Sequence, residues 1–268
     1  MFFTELRQFA KVISSWFYLF LIFSGFFFVF GLKEVGLFGQ TFLLPLPTIN
    51  SFSVQIFKII ERTLVPSNVQ LIATEPFAAF LVQIKISLLL AFVFTLPVFL
   101  YRILFFLSPA LYQNEKKAIF KLLIPSTFLF VSGCFFAYFL LIPLTFQALY
   151  SFVEIMDITP FFSLDKFIGL TLGLMFVTGL MFLLPVLIAL LSYFGLIEPD
   201  FWKNNWRYAI LFFLIVSAII TPDGTGITMM ILSAPLSLLY FGGMIVANKN
   251  RRKYKRNYAN TMRNNAKN

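Results

Sequence analysis

The chain's ionisable side chains are few, and their types narrow the available chemistry at once. Of 268 residues, 21 are Lys or Arg, 11 are Asp or Glu, one is Cys and none is His. Without histidine, the commonest general base, metal ligand and neutral-pH switch are missing. The single thiol, Cys134, rules out an internal disulfide and a multi-thiolate metal site. No catalytic site, metal or cofactor is therefore expected. What remains is recognition of charge by carboxylates at the ends of apolar runs. Glu115 stands before Lys116-Lys117, Glu5 and Arg7 lie one turn before the first apolar run, and Asp223 sits in a Thr221-Pro222-Asp223-Gly224 turn between two runs. Each also has a plainer reading. Glu115 can complement a helix N-terminus, Glu5 and Arg7 can be a solvated end, and Asp223 can cap the helix that follows. Lys85 and Arg102 lie near opposite ends of one run, where snorkelling anchors are the plainer reading. An ionisable residue inside a membrane is otherwise a functional candidate.

The elements that must position these residues follow from composition. Apolar residues make up 60% and charged residues 12%, and Phe alone accounts for 39 positions. A soluble domain carries about 45–50% apolar and about 25% charged residues, so the chain reads as an all-α, polytopic membrane protein. Long uncharged runs predict six transmembrane helices over about 12–32, 77–107, 122–146, 167–197, 208–222 and 224–247, followed by a basic tail, 249–268. The first run is too long for a signal-peptide core and is read as a span. The fifth would reach only about 21–23 Å, short of the about 30 Å of hydrocarbon. It forms a short final helix pair with the sixth, and their turn at Asp223 lies below the far face. Pro97, Pro125, Pro143, Pro185 and Pro235 fall inside runs and predict kinks that open the bundle into a concave shape. Of the basic residues, 16 fall on the side of the termini and 5 on the other, which predicts an N-in/C-in topology. Arg251-Arg252-Lys253 with Lys255-Arg256 reads as a stop-transfer and anionic-lipid patch, with no nucleic acid as partner. In the long far-side loop, Phe52, Ile56, Phe57, Ile59, Ile60 and Leu64 recur at helical spacing. They predict an amphipathic helix, either lying on the surface or packed as a cap. The third loop, Gln147–Lys166, is expected to be short and partly helical.

Several short motifs, in order, resemble one family. Glu5-Leu6-Arg7 is similar to the opening "ELR" of the TatC family, the multi-spanning receptor subunit of the twin-arginine protein translocase. Phe77, Lys85, Ser87, Pro97 and Tyr101 fall at that family's second-helix spacing. Phe106, Ser108-Pro109-Ala110-Leu111-Tyr112 and Glu115-Lys116-Lys117 resemble its "F-x-x-P-x-L-Y-x-x-E" signature. Phe130, Gly133, Phe136, Tyr138 and Pro143 resemble a third-helix motif, Phe182 and Pro185 a fourth-helix motif, and Thr221-Pro222-Asp223 the "T-P-P-D" before the last helix. Each motif alone is weak; together, in order, they span residues 5 to about 240. The departures are specific. Leu183 stands where the family usually has Glu or Gln, one Pro before Asp223 is missing, Arg102 replaces a common Gln, and the first far-side loop is longer.

The resemblance implies a receptor for N-terminal signals with two consecutive arginines. It implies Glu5, Arg7, Phe106, Glu115 and Lys117 as signal-peptide binding residues, and Asp223, Leu183 and Pro185 as translocation or assembly positions. It further implies transport of folded precursors driven by the proton-motive force, small single-helix partner subunits, and a homo-oligomer in a lipid membrane. Guanidinium pairs bidentately with carboxylate, which Lys cannot do. Two such pairs, at about 1.5–3 kcal/mol each, fall short of the about 8 kcal/mol that micromolar binding needs. The remainder is expected from the signal's apolar segment in the concave face. Two other classes fit the composition: a secondary transporter of small solutes and a structural subunit of a respiratory membrane complex. The near absence of mid-span charges and of matched halves argues against the transporter. The Phe, Lys and Asn bias, with Leu183 in place of a carboxylate, points to an organelle-encoded protein. The mitochondrial inner membrane is placed ahead of a thylakoid or a bacterial plasma membrane.

Overall fold

The computed structural model of the chain describes residues 2–37, 40–65, 70–107, 122–156, 161–193, 197–221 and 226–265, with side chains for 13–33, 44–65, 70–103, 122–156, 161–192, 197–221 and 226–249. Its helices are α1 (Phe2–Val29), α2 (Phe52–Leu64), α3 (Ala78–Leu107), α4 (Leu123–Phe136), α5 (Ile142–Ile155), α6 (Leu164–Phe182), α7 (Leu184–Tyr193), α8 (Pro199–Asn204), α9 (Trp206–Ile220) and α10 (Ile227–Asn265). Four stretches are long and apolar enough to cross a membrane: Ala78–Ile103, Leu123–Ile155, Leu164–Ser192 and Ile227–Lys249. Ile13–Val29 and Trp206–Ile220 are shorter apolar helices. The described part of each expected run is mostly helical, although residues 30–32 of the first are strand and α5 continues to Ile155, well beyond the expected end at 146.

Proline decides where the long helices break. Pro143 has no N–H, so a regular helix through it would orphan the carbonyl four residues back. The chain widens just before it into a π turn, Ala137–Leu141, where the Ile142 N–H bonds to the Ala137 carbonyl. Pro185 is the second residue of α7. The helix ahead of it closes at Leu183, whose N–H bonds to the Leu180 carbonyl at 3.1 Å. Pro97 and Pro235 lie inside α3 and α10 without ending them.

Glycine decides how closely the helices approach. A Cβ on Gly133 of α4 would lie 2.9 Å from the Gly179 Cα of α6, and one on Gly179 would lie 2.8 Å from Phe130 Cε2. The two backbones therefore touch, in the small-residue manner of membrane helices. A Cβ on Gly243 of α10 would lie 2.8 Å from the Pro185 Cα of α7. Around these crossings α1 packs on α3, α3 on α4 and α6, α7 on α10, and α9 on α10. Phe92 links the first of these groups through Phe130 and Phe176, at centroid distances of 5.4 and 5.0 Å.

The loop after α1 is not helix alone. It holds an antiparallel hairpin of β1 (Phe30–Leu37) and β2 (Gln40–Pro47), which the sequence reading did not foresee. Thr48 donates its N–H to the Val29 carbonyl at 3.2 Å. The adjoining pairs Phe30↔Pro47 and Leu32↔Pro45 therefore fall at non-bonded positions, where proline costs no ladder bond. Gly31 is required because a side chain there would collide with the Asn50 carbonyl. Helix α2 is the expected amphipathic helix, and it is a packed cap: Ser53, Ile60 and Leu64 are buried, and it packs on α3. A second, parallel pair joins β3 (Gln70–Ile72) to β4 (Phe161–Ser163), the stretches ahead of α3 and α6. The last helix also differs from expectation. Its backbone stays helical through Asn265, well past the expected end at 247, because this Lys-, Arg- and Asn-rich stretch contains neither Gly nor Pro.

Candidate functional site

Two ends of the bundle carry different chemistry. At the end where α1 finishes and α3 begins, polar side chains satisfy carbonyls that a helix terminus leaves open. Ser53 Oγ donates to the Phe27 carbonyl at 2.7 Å, and Gln83 Nε2 donates to the Phe28 carbonyl at 3.0 Å. Ser53 and Ser87 hydroxyls meet at 2.6 Å, and Gln83 also reaches Ser51 Oγ at 2.9 Å. Ser51, Ser53 and Ser87 are almost fully buried. This network fixes α1, α2 and α3 to one another. Ser87 holds a motif position in the sequence, whereas the rest of the network, Ser51, Ser53 and Gln83, does not. Polar residues one turn apart at the head of an apolar run, Gln83 and Ser87, were the available signal.

Lys85 is more than a snorkelling anchor. Its Nζ lies 2.7 Å from Asp165 Oδ1, in an ion pair between α3 and the first turn of α6. A Cβ on Gly169, one turn further along α6, would lie 3.5 Å from that Nζ, in ordinary van der Waals contact. Asp165 sits where a helix N-terminus favours a carboxylate. Among the described residues no group of three or more His, Cys, Asp or Glu could hold a metal ion.

The opposite end holds three of the positions expected to bind a signal, Glu5, Arg7 and Phe106. α1 and α3 pack antiparallel: Phe28 meets Phe80 near one end and Trp16 meets Phe99 further down, at 5.6 and 4.5 Å between ring centroids. Continuing that direction, the backbone brings Glu5 and Arg7 near the start of α1 to the same end as Phe106, the penultimate residue of α3. Glu115 and Lys117 lie outside the described residues. An apolar cleft of about 410 Å³ runs between α3 and α4 toward this end, lined by Pro97, Leu123, Ile124, Thr127, Phe128 and Val131.

Leu183 and Pro185 mark the α6–α7 break. Leu183 packs with Leu96, Phe130 and Cys134, an apolar cluster in place of the polar group seen in the resembling motif. Pro185 meets α10 at Gly243. Asp223 lies outside the described residues, but both flanks are described. α9 ends at buried Thr221, whose Oγ1 donates to the Ser217 carbonyl at 2.8 Å. Gly226, at φ 72°, directly precedes α10, and its carbonyl accepts the first helical bond, from the Met230 N–H. The N-cap position of α10 is therefore Gly226, which has no side chain to bond the first-turn N–H groups.

Comparison with known proteins gives one consistent result. A family description, TatC, Sec-independent protein translocase protein, matches residues 3–235. The chain is 34% identical over 233 residues to the Sec-independent protein translocase protein TatC of Cenarchaeum symbiosum, covering 87% of this chain and 88% of that one. It is 32% identical over 217 residues to the tatC-like protein ycf43 of Pyropia yezoensis, covering 80% and 84%. A crystal structure of the twin arginine translocase receptor TatC superposes with a TM-score of 0.70 at 30% identity, over 92% of this chain and 99% of that chain.

Proposed function

The chain belongs to the TatC family of Sec-independent protein translocase proteins, and from that premise we propose that Glu5 and Glu115 receive the paired arginines of a signal peptide at the basic end of the bundle. The protein is a multi-pass membrane protein and a receptor subunit of twin-arginine translocation, not an enzyme. The antiparallel packing of α1 on α3 carries the proposal, because it puts the Glu5 and Phe106 ends of two helices together. Arg7 and Lys117 surround the two carboxylates with positive charge and discriminate against acidic sequences. Phe106 and the apolar cleft between α3 and α4 take the first part of the signal's apolar segment.

The finer features belong to the same reading. Both short apolar helices, α1 and α9, span, giving six spans within 1–248, an N-in/C-in topology and a basic tail beyond. Small single-helix subunits and further copies of this chain assemble near Leu183, Pro185 and Asp223, and the proton-motive force drives the transport step. The membrane is organellar, and the mitochondrial inner membrane is favoured by the Phe, Lys and Asn bias together with Leu183.

Affinity purification of the tagged chain after expression of a twin-arginine precursor tests the role. The precursor should co-purify, and its twin-lysine version should not. Recovery of respiratory-complex subunits in place of the precursor would favour the structural alternative.

A further inference from the structure

We propose that the groove between the α8–α9 corner and α10 binds an anionic phospholipid. The groove measures about 280 Å³ and is lined by Lys203, Trp206, Phe241 and Met244. Its walls suit an acyl chain: Phe241 and Met244 lie on the apolar stretch of α10, and the rings of Trp206 and Phe241 stand 6.2 Å apart. The mouth is cationic. Lys203 and Arg207 are both exposed, four residues apart across the corner. Lys249, also exposed, lies five residues beyond Met244 on α10, toward the same side.

Charge and aromatic geometry select the headgroup. The Arg207 guanidinium carbon lies 5.5 Å from the centre of the Trp206 ring, so that face already has its cation and is closed to a choline. Glu198 and Asp200 precede the corner, but no acidic residue lines the groove itself. Lys203 on the lining and Arg207 beside it, at an apolar slot with Trp206 in its wall, make a basic interhelical pocket of the kind that takes acidic lipid headgroups. The tail from Lys249 to Lys267 carries eight basic residues that draw such lipids to the same membrane face.

The test uses the purified full-length chain in a neutral detergent, with its thermal midpoint measured during titration of phosphatidylglycerol, phosphatidylcholine or inorganic phosphate. Phosphatidylglycerol should raise the midpoint saturably by several degrees, as a ligand of the folded state does, while phosphatidylcholine and millimolar phosphate should not. Lys203→Gln with Arg207→Gln should raise the half-saturating concentration at least tenfold although the tail is intact. Lys58→Gln with Arg62→Gln, on the capping helix α2, should leave it unchanged. An equal response to phosphatidylcholine, full reproduction by phosphate alone, or an unchanged titration in the Lys203/Arg207 variant would overturn the proposal.

Discussion

Lys85 and Asp165 meet at 2.7 Å, yet their side chains remain 39% and 29% exposed. An ion pair this open is screened, and such pairs couple by about 0–1 kcal/mol. A double-mutant cycle of Lys85→Ala and Asp165→Ala, read by thermal unfolding in detergent, should therefore give a coupling below about 1 kcal/mol. A larger value would mean that the pair is shielded in the membrane. The glycines make a sharper contrast. Around Gly173 a Cβ meets nothing within 4 Å, while at Gly179 it runs into fully buried Phe130. Gly173→Ala should be neutral or stabilise by up to about 1 kcal/mol through the helix backbone. Gly179→Ala should destabilise by about 1–3 kcal/mol through overpacking. Comparison of the two melting midpoints checks both.

Elements defined by apolar run length and by proline were legible in the sequence, because both signals are local. The described part of each expected run is mostly helical, and Pro143 and Pro185 fall at breaks in helical geometry. Elements defined by distant partners were not. The hairpin at 30–47 depends on a register that leaves Pro45 and Pro47 unpaired and on the close approach of Gly31 to Asn50, so its Gly and Pro residues read as loop. The choice between a surface helix and a packed cap for α2 rested on what Ser53, Ile60 and Leu64 would bury against, which periodicity does not encode. The turn between α9 and α10 follows the same division. A short α9 was readable from its run; the N-cap at Gly226 was not. Asp223→Asn removes the charge but keeps most capping ability, so it should keep its melting midpoint within about 0.5 kcal/mol of stability. It should still bind precursor and fail to transport it. Normal transport by the Asn variant would remove the charge of Asp223 from the mechanism.

Across the bundle, the two ends divide the work. One end is closed by the hairpin, by α2 and by the Ser53–Ser87–Gln83 network, which together satisfy the carbonyls of α1 and hold three helices in register. The other collects the starts of α1 and α4 and the end of α3. In the sequence the proposed site is visible only as motif positions, with Glu5, Phe106 and Glu115 near run boundaries. The cleft beside Pro97 is not visible there, because its lining comes from two separate helices. The account stands or falls on the carboxylates that face the signal. Site-specific crosslinking of a twin-arginine precursor to the membrane-inserted chain tests them directly. The wild type should crosslink the precursor, Glu115→Ala should lose most of the product, Glu5→Ala should lose part, and the double variant should lose it all, with membrane insertion unchanged throughout. Equal crosslinking by the double variant, or equal crosslinking of a twin-lysine precursor by the wild type, would contradict it.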